Sequence, residues 1–211
     1  MIEYFHRGGP VMWPLLICSL LSLAFFLERL WFWIRVWRLE RPQIVSRILQ
    51  TVGAGRREEA LEVCAREKED YVVSMFHDGL RAGGPHTSLF VALDQSASDH
   101  YIRMKKYMPV FEAIVTLSPL LGIFGTVLGI VQAFDALGGH VENVQQVAAG
   151  VSQALITTVF GLIIAMPTLV FHIFFRSQVS RARHRMESAL ADMEIAIHEA
   201  EENDEKSRPA T

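Results

Sequence analysis

Two hydroxyl side chains, Thr126 and Thr158, each lie in a long uncharged run of the sequence and could relay a proton or hold a water molecule there. A threonine hydroxyl both donates and accepts hydrogen bonds, as a relay requires, but it can equally bond back to a carbonyl of its own helix. Small residues recur around each threonine at spacings of three and four, so they share one face of a helix. They are Ser118, Gly122, Gly125, Gly129 and Ala133 in the first run, and Ala154, Gly161 and Ala165 in the second. Such a face is expected where helices pack closely or line a narrow polar path.

Gln153 is a further candidate, because an amide buried in hydrocarbon needs hydrogen-bond partners. Packing between helices is the alternative role for it. Neither of the two runs contains an Asp, Glu, Lys or Arg, over residues 113–134 and 143–175. A path for protons through a membrane generally includes an ionisable group at membrane depth. If protons cross here, the titrating group must therefore come from another chain.

The composition is typical of a membrane protein, with 51% hydrophobic residues arranged in blocks. Residues 8–27 form a third uncharged run, and each run reaches the roughly 20 residues that a helix needs to cross a bilayer. We therefore predict an all-α integral membrane protein with three transmembrane helices, of which helices 2 and 3 extend into the cytoplasm. A soluble three-helix core is the alternative, but buried helices of soluble proteins normally keep one polar face.

Basic residues set the predicted orientation. Residues 35–106 contain twelve Lys and Arg and residues after 175 contain six, whereas residues 135–148 contain none. The long middle segment and the C-terminus are thus predicted to be cytoplasmic, and the N-terminus periplasmic. Helical spacing without a stop predicts one continuous helix from about Pro85 to Leu137, ended by Gly138-Gly139. Asn143 is a plausible N-cap of the third span.

The predicted order is a periplasmic N-terminal segment (1–9), transmembrane helix 1 (10–39), a cytoplasmic helical domain (40–108), transmembrane helix 2 (109–137), a periplasmic loop (138–146), transmembrane helix 3 (147–175), a cytoplasmic helical tail (176–202) and a disordered C-terminus (203–211).

No enzyme motif is present in the sequence. It lacks HExxH, GxSxG, a phosphate-binding glycine loop and a basic face with interleaved aromatic residues. Cys18 and Cys64 do not have the spacing of a metal site, and a disulfide between them is not expected. We predict no catalytic residue, no metal and no cofactor.

The chain resembles the MotA/TolQ/ExbB proton channel family, and ExbB most closely, in three segments. They are GGPVMWPLLICSLLSLAFFLERLW at residues 8–31, LSPLLGIFGTVLGIVQAF at 117–134 and VSQALITTVFGLIIAMPTLV at 151–170. Three spans with an outer N-terminus are similar to ExbB and TolQ, whereas MotA-like stators have an additional span.

The resemblance implies a homopentamer in the bacterial inner membrane, with a pore formed by the second and third spans. A dimer of an ExbD-like or TolR-like single-span protein would place aspartate-bearing helices in that pore, and a TonB-like or TolA-like protein would carry the work to the outer membrane. Thr126 and Thr158 match the two pore threonines of the family. Many relatives carry glutamate in an SEAL motif where this chain has Gln153, and a glutamine amide cannot titrate as an acid at this position. Membrane lipids are the remaining expected partner, and nucleic acid is not expected.

Three alternatives remain open. The chain could be a TolQ-like subunit of an envelope-maintenance motor, or a pentameric membrane scaffold that organises partner helices without conducting protons. An intramembrane enzyme is the third, and no catalytic constellation supports it.

Overall fold

The structure is a computed structural model that describes residues 8–83, 86–137 and 144–207. In this part of the chain seven helices follow one another and no strand occurs. They are α1 (Met12–Leu39), α2 (Pro42–Gly53), α3 (Arg57–Arg66), α4 (Tyr71–Ala82), α5 (His86–Lys105), α6 (Met108–Leu137) and α7 (Val144–Ser207). Three helical stretches are long and apolar enough to cross a membrane. The predicted all-α fold with three membrane-spanning helices is confirmed.

The chain divides into two compact units, and the first comprises the described parts of residues 1–29 and 107–176. It contains the beginning of α1, all of α6 and the first half of α7. The core of this unit includes Val11, just before α1, and Met12 and Leu15 of α1, with Ile114 and Ile164. Large apolar side chains remain exposed on every one of its helices, which is the surface that a hydrocarbon environment requires.

The continuous helix predicted from Pro85 to Leu137 is interrupted in the structure. Tyr107 has a φ of 68°, in the left-handed region, so α5 ends at Lys105 and α6 begins at Met108. Pro109 lies just after the break, and because proline has no amide hydrogen it cannot form the bond to the carbonyl of Lys105 that a continuous helix would contain. The Tyr107 ring stacks on Phe25 with ring centroids 4.6 Å apart, and the Arg29 guanidinium lies 5.1 Å from its centroid. These contacts hold an otherwise unfavourable backbone conformation in place.

The second unit comprises the described parts of residues 30–106 and 177–211. The short helices α2, α3 and α4 lie in this unit, and two of them end at or beside a glycine, α2 at Gly53 and α4 next to Gly83. The α4 and α5 helices approach closely, since a Cβ added at Gly79 would overlap the Leu93 side chain. Phe76, Leu93 and Met193 are fully buried and contribute to the core.

Asp70 fixes the start of α4 in this unit. Its Oδ1 accepts a hydrogen bond from the Val72 amide at 2.8 Å, which is the arrangement of an N-cap, and its Oδ2 accepts one from the Arg41 amide at 2.8 Å. One buried carboxylate therefore ties the segment that precedes α2 to the first turn of α4.

The last helix is longer than predicted. A disordered C-terminus was expected from residue 203, but α7 continues to Ser207. Glutamate and lysine have high helix propensity, so a charged end can stay helical without an apolar face. Residues 208–211 lie outside the described residues, as do the predicted helix end at Gly138-Gly139, the predicted N-cap Asn143 and most of the predicted N-terminal segment.

Candidate functional site

The small residues of α6 and α7 pack directly against each other. A Cβ added at Gly161 would lie 2.6 Å from the carbonyl oxygen of Ser118, and one added at Gly129 would lie 2.7 Å from that of Gly150. Residue numbers rise along α6 as they fall along α7 in these contacts, so the helices are antiparallel. The backbones meet where side chains larger than hydrogen would collide, as in close helix pairs of membrane proteins.

We call this contact the helix seam. On α6 it comprises Ser118, Gly122, Gly125, Gly129 and Ala133, and on α7 Gly150, Ala154, Thr157 and Gly161. The structure thus brings together the two small-residue faces that the sequence predicted, within a single chain. Ala165, one turn beyond Gly161, is buried as well.

Thr158 forms a hydrogen bond across the seam. Its Oγ1 donates to the carbonyl oxygen of Gly122 at 3.1 Å. Thr126 instead donates to the carbonyl of Ile123 in its own helix. Both side chains are half-buried. Neither hydroxyl is therefore turned fully toward the hydrocarbon, and each keeps oxygen lone pairs with which it can accept a further hydrogen bond.

Thr126 and Thr158 lie on the same side of the helix pair. Each follows a seam residue by one position, Gly125 in α6 and Thr157 in α7. One position rotates a side chain by about 100° around the helix axis, and in two antiparallel helices that face each other this rotation leads to the same side. The Gly122 carbonyl that Thr158 contacts is also the regular helical acceptor for the Thr126 amide, so the two threonines are about one turn apart in depth.

The first helix occupies the opposite side of the pair. The apolar cluster around Val11, which precedes α1, and Met12 and Leu15 of α1 includes Leu121, Leu128, Phe160 and Ile164. Each of the four precedes a seam residue or Ala165 by one position, so they lie on the side away from the threonines. On the threonine side the large neighbours are exposed, with Ile123 at 54%, Ile130 at 45% and Leu162 at 41%. We call this side the threonine face; α1 leaves it uncovered.

Gln153 is not brought to the threonine face. It precedes the seam residue Ala154 by one position and lies on the α1 side, half-buried against Gly9. A Cβ added at Gly9 would overlap its Nε2. Its membership of a proton pathway stays a prediction, and this placement does not support it.

Two hydroxyl contacts in the structure were not predicted from the sequence. Thr157 is fully buried in the seam, where its Oγ1 donates to the Ala154 carbonyl at 2.8 Å. It continues the small stripe of Gly150, Ala154 and Gly161 with spacings of four, three and four, but Thr158 fits the same stripe equally well in the sequence. The Oγ atoms of Ser22 and Thr168 are 2.7 Å apart and buried. Thr168 donates to the Ile164 carbonyl, so the hydroxyl of Ser22 is the donor in this pair. No sequence signal pairs them.

Among the described residues, no group of three or more His, Cys, Asp or Glu could hold a metal ion. The helix seam and the threonine face contain neutral side chains only. The site can accept and donate hydrogen bonds, but by itself it cannot bind and release a proton as an acid.

Comparison with known proteins assigns the chain to a family. The model of the MotA/TolQ/ExbB proton channel family matches residues 67–188. A putative biopolymer transport protein of Synechocystis sp., ExbB-like 3, is 30% identical over 211 residues, which cover 97% of this chain and 98% of that protein. ExbB-like 1 of the same organism is 31% identical over 192 residues, 89% of this chain and 74% of that protein. The Tol-Pal system protein TolQ of Haemophilus influenzae is 40% identical over 68 residues, 32% of this chain and 30% of that protein. The chain is a multi-pass membrane protein that belongs to the MotA/TolQ/ExbB proton channel family.

Proposed function

We propose that this chain is an ExbB-like subunit of a bacterial inner-membrane motor that uses the proton-motive force to energise outer-membrane transport through a TonB-like partner. One observation carries this proposal: Thr126 and Thr158 share one long side of the α6–α7 pair, which neither the seam nor α1 covers, and their half-buried hydroxyls lie there among exposed apolar side chains. Half-buried hydroxyls on an uncovered face are suited to contact with another chain. The similarity to ExbB-like proteins supports the same role.

The proposed assembly is a homopentamer in which the threonine faces surround a common pore. A dimer of an ExbD-like or TolR-like single-span protein would occupy the pore. The threonine face offers apolar side chains, including Ile123, Ile130 and Leu162, for packing against such helices. It contains no acid, and the absence of Asp and Glu from residues 113–134 and 143–175 leaves the partner to supply one.

In this mechanism the carboxyl group of the partner binds and releases the proton, and the threonines line its route. The hydroxyl of Thr158 holds the Gly122 carbonyl and keeps lone pairs that can accept a hydrogen bond from a water molecule or from a protonated acid. Protonation removes the charge of the acid and with it the cost of moving the acid past apolar surface. Repeated charging and neutralisation would then drive movement between the partner helices and the pentamer.

The proposed orientation places the N-terminus in the periplasm and the C-terminus in the cytoplasm. It rests on the basic residues, which are abundant in residues 35–106 and absent from residues 135–148. The second unit would accordingly lie in the cytoplasm.

The segment that is 40% identical to TolQ favours one alternative, a subunit of an envelope-maintenance motor with TolR-like and TolA-like partners. The two roles share the proton pathway and differ in the system they energise. Deletion strains distinguish them: loss of uptake through TonB-like transport indicates the first role, and leakage of periplasmic proteins with intact uptake indicates the second.

Proton flux in liposomes tests the proposal. The full-length chain is reconstituted with and without its co-purified single-span partner, and acidification of the lumen is recorded under a pH gradient. We expect flux only when both proteins are present, and loss of flux in the Thr126→Val/Thr158→Val variant with assembly intact. A complex that assembles but conducts no protons would instead identify a scaffold.

A further inference from the structure

The turn that precedes α1 is seated on the side chain of Gln153. Gly9 has a φ of 71°, and the side-chain amide of Gln153 occupies the space where a Cβ on Gly9 would lie. Such a Cβ would overlap Nε2 of Gln153 and would lie 2.9 Å from its Cδ. Gly8 lies beside it, because a Cβ there would be 3.5 Å from Cγ2 of Ile156. Gln153 and Ile156 are neighbours on one face of α7. Two consecutive glycines thus bring the backbone directly onto that face.

This contact leads without interruption into the first span. The carbonyl oxygen of Gly9 accepts a hydrogen bond from the Met12 amide at 3.2 Å, and that of Pro10 accepts one from the Trp13 amide at 3.3 Å. Val11, Met12 and Leu15, which follow the turn, are buried. The position of the turn on Gln153 therefore sets where α1 starts and which of its side chains enter the core.

We propose that Gln153 is a positioning residue: it seats the Gly8-Gly9 turn and thereby fixes the outer end of α1 against α7, on the side of the helix pair opposite the threonine face. In this role it does not pass protons. Its side chain must be neutral and long enough to reach the turn. A neutral amide suits this position, because a carboxylate held against an apolar core would carry a large desolvation cost.

Gln153 lies in α7, as Thr158 of the proposed proton pathway does, but the positioning role depends only on the contact between Gln153 and Gly9 within one chain. Its test therefore begins with a structural measurement. Spin labels are attached at Pro10→Cys and Ser152→Cys, two exposed positions next to the contact, in the full-length chain with Cys18→Ala and Cys64→Ala. Labelled chains are diluted with unlabelled chains in liposomes, so that each distance comes from a single chain. Pulsed electron resonance then gives the distribution of the distance between the labels.

Three variants separate the possibilities. In the wild type we expect a single narrow population of distances between the labels. Gln153→Ala removes the side chain on which the turn rests, and we expect this narrow population to be lost. Gln153→Met keeps the length and volume of the side chain without its amide, and we expect the narrow population to be restored. Gln132→Ala is the matched control, because it removes an exposed amide from α6, and we expect no change. A narrow population that persists in Gln153→Ala would overturn the proposal.

Proton flux with the single-span partner supplies a second readout. Gln153→Met should conduct protons as the wild type does. If this variant keeps the narrow distance population but loses flux, the amide belongs to the pathway and the positioning role is wrong. If the wild-type complex itself conducts no protons, the proposed function fails, and the distance measurement alone decides whether Gln153 seats the turn.

Discussion

The hydroxyl of Thr158 donates to the carbonyl oxygen of Gly122 across the helix seam at 3.1 Å. The same carbonyl is the regular acceptor for the amide of Thr126, four residues later in α6. One carbonyl group therefore connects both threonines of the threonine face. A change in the hydrogen bonding of one is expected to alter the position or polarity of the other, which makes Thr158 the more informative residue to substitute.

Replacing Thr158 by valine is expected to abolish proton flux while the protein still assembles. Valine has nearly the shape of threonine but no hydroxyl, and hydrogen bonds between membrane helices contribute only about 0.6 to 1.7 kcal/mol. Flux in liposomes and size-exclusion chromatography of the complex measure the two effects. Thr158→Ser is the matched control, because it restores the hydroxyl and should restore flux. Wild-type flux in the valine variant would show that the hydroxyl takes no part.

Enlarging a seam glycine is expected to destabilise the membrane unit. A Cβ at Gly150 would lie 2.8 Å from the carbonyl oxygen of Gly129, so Gly150→Ala forces the two backbones apart. Overpacking of this kind costs about 1 to 3 kcal/mol. Unfolding in mixed micelles, followed by circular dichroism, should show the lower free energy of unfolding of the Gly150→Ala variant. Ala149→Leu adds more atoms at the neighbouring exposed position of α7 and should leave stability unchanged. Equal effects of both variants would contradict the seam as a site of close contact.

The sequence predicts the seam well because a stripe of glycines in an uncharged helix is typical of close packing against a second helix. It does not determine which threonine enters the seam. Thr157 and Thr158 both continue a spacing of three or four from Ala154, and only the packing of α6 on α7 selects Thr157 for the buried position.

Contacts between residues far apart in the sequence could not be predicted in the same way. The opening glycines indicate a turn, but nothing in the sequence names Gln153 as the residue beneath it. The break at Tyr107 had a local signal, Pro109, which the strong helical periodicity of its surroundings concealed. Gln153 became a candidate because its amide lies in an uncharged span, but the sequence does not show which side of the helix pair α1 covers.

Ser22 and Thr168 are expected to stabilise the contact between α1 and α7 cooperatively. Their Oγ atoms are 2.7 Å apart and buried, so Ser22→Ala and Thr168→Val each remove the same hydrogen bond. In a double-mutant cycle the coupling should be about 0.6 kcal/mol and at most about 1.7 kcal/mol. The free energies of unfolding of the wild type, the two single variants and the double variant, measured in mixed micelles, give the coupling energy. Ser19→Ala, at a neighbouring position in the same helix, is the control and should show no coupling with Thr168→Val. Strict additivity of Ser22→Ala and Thr168→Val would mean that the two hydroxyls do not interact in the membrane.

Cys64 is expected to resist alkylation in the folded protein, because burial raises the pKa of its thiol to about 12. Only a thiolate reacts readily, and an ordinary cysteine, with a pKa of about 8.5, becomes much more reactive between pH 7 and pH 9. The Cys64 thiol should stay protonated over that range. The unfolded thiol ionises at lower pH than the folded one, so ionisation should favour unfolding as the pH rises from about 9 toward 12. Mass spectrometry after maleimide treatment of the Cys18→Ala variant measures the first effect, and the pH dependence of unfolding compared with Cys64→Ala measures the second. Fast labelling of folded protein at pH 8 would show that the core around α3 opens to solvent.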